Sequence, residues 1–171
     1  MNPMKNFTTT LAIIATATLF SAALASAAST SSSANASIVS AIAITNTAPL
    51  NFGQIAPTIV IGTVSVATTG ERAGLGGVTL ANGSTPAAAS FAVTGAANNT
   101  YTITLPASTT LTGPGAPMTV DGFVSNPDAT GTGTLSALGA QTLLVGATLH
   151  VGVSQVAGAY TGTFNVDVNY N

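Results

Sequence analysis

Chemistry in this chain has few side chains to work with: two Lys or Arg, four Asp or Glu, one His and no Cys. His150 stands between Leu149 and Val151, on the opposite face of a strand from both. A zinc site takes several imidazole or thiolate ligands, and no second His or Cys exists to join it. Asp121 and Asp128 flank a stretch holding Gly122 and Asn126 and could offer oxygen to calcium. Their spacing does not match a calcium loop, and Asp in turns commonly bonds nearby backbone. Nor does an aromatic cluster stand beside them as a sugar platform for a glycosidase pair. Ser154 lies in Gly152, Val153, Ser154, Gln155, Val156, which lacks the last glycine of a Gly-x-Ser-x-Gly elbow. Gly131 and Gly133 precede no helical pattern that would hold a phosphate. The expectation is a protein that is not an enzyme and holds no metal or cofactor.

The elements that must carry these residues are most legible at the two ends. Residues 1–27 combine Lys5, an apolar run through Leu11, Ile13, Ile14, Leu19 and Phe20, and small residues at Ala23, Ala25 and Ala27. That is the layout of a secretory signal peptide, and the run is short and Thr-interrupted for a membrane span. Export follows, to the periplasm and then the cell surface, with no integral membrane segment left after cleavage. Residues 28–37, almost wholly Ala, Ser, Thr and Asn, read as a flexible leader. Ile38, Ile42 and Ile44 alternate within 38–45, so this segment is either the first strand of its own domain or a strand donated to another.

At the other end Gly158, Tyr160, Gly162, Phe164, Val166, Val168 and Tyr170 occupy every second position. Such a period of two predicts one terminal strand with a single buried face.

Without its leader the chain keeps Arg72 against Glu71, Asp121, Asp128 and Asp167, a side-chain charge of −3. Nucleic acid requires clustered Lys and Arg and is excluded as a partner. A soluble monomer usually charges about a quarter to a third of its surface. Here the exterior must be Thr, Ser, Asn and Gly, which suits a protein packed into an assembly. The absence of Cys leaves stability to the sheet, its core and its neighbours.

Val, Ile and Thr recur between closely spaced Gly and Pro, and one domain of all-β type over 38–171 is predicted. Strands are expected at Ile38–Thr45, Leu50–Ile55, Ile59–Thr68, Val78–Leu80, Ser90–Thr94, around Tyr101–Leu105, at Met118–Val124 with a bulge near Gly122, at Leu143–Val153 and over the terminal segment. Gly70–Gly77 reads as a surface loop, and Pro106, Pro114 and Pro117 bound an irregular stretch. Short strands with turns at roughly 8 to 12 residue spacing point to an immunoglobulin-like antiparallel β-sandwich, with a barrel as the other closure.

The terminal stripe resembles the last strand of pilus subunits of the chaperone-usher route, in which a glycine fourteenth from the end precedes alternating apolar residues and a penultimate tyrosine. Gly158 and Tyr170 stand at those places. More broadly, Leu50-Asn51-Phe52-Gly53, Gly76–Leu80, Phe91, Val93-Thr94-Gly95, Gly146-Ala147-Thr148-Leu149 and Gly158–Tyr170 resemble a family of secreted bacterial domains of unassigned function, itself similar to fimbrial subunits. The lack of a disulfide departs from the best-known pilus subunits.

The resemblance implies a sandwich completed by a donor strand from a neighbouring subunit, with main-chain bonds giving affinity and alternate side chains giving register. It implies identical or related subunits, a periplasmic chaperone and an outer-membrane usher as partners. Gly158, Tyr160, Phe164, Val166, Val168 and Tyr170 are then the assembly and docking residues, and Ile38, Ile42 and Ile44 the candidate donor residues. The competing expectation is a secreted, non-catalytic sandwich that binds carbohydrate or another surface. It would want exposed aromatics in loops, whereas there is no Trp and all three Tyr fall on predicted strands.

Overall fold

The computed structural model describes residues 27–171; the signal-peptide reading of 1–27 lies outside the described residues apart from its last position. Residues 27–36 carry no secondary structure and are exposed, and Ser37–Asn171 form a compact unit by themselves. That unit is an antiparallel β-sandwich without a helix among the described residues.

Ten strands follow in chain order: β1 (Ala43–Ala48), β2 (Gln54–Val66), β3 (Arg72–Ala81), β4 (Ala89–Thr94), β5 (Thr100–Thr104), β6 (Ser108–Leu111), β7 (Met118–Asn126), β8 (Gly133–Thr134), β9 (Ala140–Val151) and β10 (Asp167–Tyr170). The long β9 is the spine. β4 pairs with its first half and β2 with its second along one edge, while β7 runs along the other. β1 extends β4, β3 extends β2 and β6 extends β7. A smaller sheet, β10-β5-β8, forms the opposing layer.

Alternation explains why these segments pack as they do. On β9, Leu143, Val145, Ala147, Leu149 and Val151 are all buried, two residues apart on one face. This face feeds two adjoining cores. The first joins Ala89, Phe91, Val93, Leu143 and Val145 to Tyr101 and Ile103 of the small sheet, with Leu135 and Val166. The second gathers Val64, Val66, Met118, Val120, Ala147, Leu149 and Val151 under Phe52. No residue of β5, β8 or β10 belongs to the second core.

The structure redraws several expected strands. The first strand begins at Ala43 rather than Ile38, because Ile42 and Ile44 reach the first core whereas Ile38 is 97% exposed. Most of the presumed loop Gly70–Gly77 is strand: Arg72–Ala81 pairs with β2, its glycines admitting a close backbone approach. The Pro-bounded irregular stretch also contains the short strand β6. The terminal strand is much shorter than its alternation suggests. Only Asp167–Tyr170 is paired, to β5, and within 158–166 the described residues show one isolated bridge, Thr161 to Thr112. At Gly122, with φ +56°, the ladder between β7 and β9 breaks register between Asp121 and Val124, where a bulge was expected.

Candidate functional site

Above the second core two segments run without a strand between them, and the space left is a groove of about 1100 Å³. One wall is residues 49–57, comprising the turn into β2 and the start of β2 itself. That start pairs with β3 on one edge only, since β9 joins β2 no earlier than Gly62. The other wall is residues 155–164. Its outer side follows β6 through the Thr161–Thr112 bridge and a 2.6 Å bond from Thr109 Oγ1 to the Thr163 carbonyl. Phe91, Met118, Val120, Leu149 and Val151 also line the groove from the sheet. No Asp, Glu, Lys, Arg or His is among the lining residues.

Each wall is held in place by identifiable bonds. The Arg72 guanidinium donates to the carbonyls of Phe52 and Gln54, both at 2.9 Å, and to Ala81 at 3.1 Å. Gly53, at φ +76°, passes so close to the Arg72 guanidinium that a side chain there would collide with it. Across the groove Gln155 Nε2 donates to Tyr160 Oη at 2.9 Å and to the Ala116 carbonyl, while Tyr160 Oη donates to the Val156 carbonyl at 2.9 Å. Phe164 stands edge-on to Phe91, with ring centres 6.3 Å apart, and lies 4.9 Å from Phe123 in a tilted pair. The trough therefore presents mainly apolar side chains and main-chain groups, with the hydroxyls of Thr109, Tyr160, Thr161 and Thr163 and no charged side chain in its lining.

The residues expected to act in docking divide between two places. Gly158, Tyr160 and Phe164 line the groove. Val166 is buried in the first core, and Val168 and Tyr170 pack against that core from β10. Tyr170 Oη accepts from Ala96 N at 2.6 Å and donates to the Ser40 carbonyl at 2.8 Å, tying the last strand to the segment before β1. Of the three candidate donor residues, Ile42 and Ile44 pack against this chain's own core and Ile38 is exposed.

Residues weighed for other chemistry lie elsewhere. His150 Nε2 meets Asp121 Oδ1 at 2.8 Å, both partly exposed, and no cluster of three or more His, Cys, Asp or Glu forms among the described residues. Asp128 Oδ1 accepts from Thr130 N and Thr130 Oγ1, both at 2.9 Å, and these bonds lower its pKa. That is turn chemistry closed within two residues. Ser154 uses its backbone N–H to donate to the Thr58 carbonyl at 2.8 Å.

Sequence reasoning did not place Arg72 at this site. The signal was present, since it is the single cation of the chain beyond Lys5 and lies among glycines, but its three carbonyl partners come from positions 9 to 20 residues away.

Neither the curated proteins nor the solved structures include a match to this chain. A profile described as "Domain of unknown function (DUF4402)" matches residues 42–170, which takes in every strand and both groove walls. The chain belongs to the DUF4402 family of domains of unknown function.

Proposed function

We propose that this chain is a structural subunit of a fimbria-like surface appendage, assembled by β-strand addition into the groove between residues 49–57 and 155–164. One observation carries the reading: the second core has no strand of the opposing sheet above it, and two incompletely paired segments flank the gap. A strand laid in that gap would gain backbone partners from both walls and bury alternate side chains on the sheet beneath. Left open, the same surface exposes apolar area and free strand edges, which favour association.

Identical or related subunits are the proposed partners, handled in transit by a periplasmic chaperone and delivered through an outer-membrane usher. Export and a surface location belong to the same proposal. The segment ahead of β1 is the donor, with Ile38 free to enter a neighbour and Ile42 and Ile44 engaged at home until β1 moves.

The test compares the purified full chain with two variants by negative-stain microscopy, SDS-resistant laddering and thermal melting. Deleting residues 28–39 removes Ile38 while sparing the Ser40 carbonyl that Tyr170 holds. The pair Ala56→Asp and Ala157→Asp puts a carboxylate on one exposed residue of each wall. Filaments and stable multimers from the parent, lost in both variants with melting unchanged, support strand addition. A monodisperse monomer in every case overturns it.

A further inference from the structure

Beside one end of the groove β2 leaves its ladder. Pro57 pairs with Val78 and Gly62 with Gly76, so four residues of β2, Thr58 to Ile61, stand opposite Gly77 alone. This excursion is built into the fold. A Cβ on Gly77 would strike the Val60 carbonyl, Thr58 Oγ1 accepts from Val60 N at 3.2 Å, and the turn after β9 closes on it through the 2.8 Å bond from Ser154 N to the Thr58 carbonyl.

Bulges and turns that face water are normally polar. Here the crest is Ile59, Val60 and Ile61, exposed by 84%, 55% and 70%, and the adjoining turn adds exposed Val153 and Val156. Isolated exposed apolar residues are ordinary, but several gathered on a rigid excursion mark an interaction surface.

We infer that this crest is a contact between successive copies of the chain, seated against the same second copy that fills the groove; it therefore rests on the strand-addition reading. Continuity favours that occupant. Pro57 lines the groove and directly precedes the Thr58–Ile61 excursion, and the turn that holds Thr58 through Ser154 leads into Val156 of the other wall, so an occupant of the groove lies beside the crest. Charge favours it too. An anionic membrane would need clustered cations, and Arg72, the only one among the described residues, is spent on three carbonyls. A second copy presents a surface almost free of charge, so the two meet with little ionic desolvation.

The experiment measures self-association of the purified full chain by light scattering against concentration, alongside thermal melting. Ile59→Thr with Ile61→Thr keeps the branched shape and removes the apolar ends; Val153→Thr is an independent second variant on the adjoining turn. About tenfold weaker association or more in the Ile pair, a smaller loss in Val153→Thr and unchanged melting support the contact. If Ala56→Asp with Ala157→Asp abolishes association while the crest variants associate like the parent, the crest contact is overturned and strand addition stands. Weakening by the crest variants with the groove pair unaffected overturns strand addition, and with it the contact as proposed, leaving the crest to associate without an occupied groove. A parent that stays monomeric throughout overturns both.

Discussion

Tyr101 is completely buried, and its Oη donates to Gln141 Oε1 at 2.8 Å. Burial disfavours the phenolate and raises its pKa above the usual value near 10. Below about pH 10 folded and unfolded chains hold the proton equally. Above it the unfolded chain ionises first, so stability falls as pH climbs through the folded pKa. Urea midpoints measured from about pH 8 to 12 should show that fall, and Tyr101→Phe should flatten it, at a cost near 1 kcal/mol at neutral pH for the lost hydrogen bond. Arg72 makes a second residue-scale case. Arg72→Met keeps the stem but strips donors from the Phe52, Gln54 and Ala81 carbonyls. A loss of about 2 kcal/mol in urea unfolding is expected, with faster hydrogen exchange in residues 49–57, the wall the guanidinium holds.

At the scale of elements, the β2–β3 ladder depends on glycine where the backbones converge. In Gly77→Ala the added methyl meets the Val60 carbonyl oxygen, so either the bulge flattens or β3 withdraws. Thermal or urea unfolding should register about 2–3 kcal/mol of destabilisation, at the upper end for overpacking. The terminal segment teaches a related point. From Tyr160 to Tyr170 every second residue is at least partly buried except Gly162, while the intervening residues are exposed, yet beyond the isolated Thr161–Thr112 bridge a ladder starts only at Asp167. Alternation reports which face a chain turns to the core. It is silent on whether a neighbouring strand is present.

For the whole molecule the governing fact is near-neutrality. The full chain carries a formal charge of −2, and the groove walls carry none. Association through such surfaces is driven by apolar burial and main-chain bonds, which salt barely screens. For the proposed self-association, raising NaCl from about 0.1 M to 1 M should therefore change the association constant by less than about threefold or strengthen it, as read by light scattering. A loss of tenfold or more would instead reveal ion pairs at the interface.

By itself the sequence determined the all-β class and the half-buried face of β5, where Tyr101 and Ile103 alternate with threonines, because a period of two is a local property of a segment. It also determined that no charged side chain could dominate a binding surface, since so few exist. Tertiary structure alone decided where Arg72 reaches, why a run of glycines becomes β3, and that residues 155–164 face a gap. Each of these depends on which distant backbone lies alongside, and sheet pairing joins positions whose separation along the chain leaves no periodic trace.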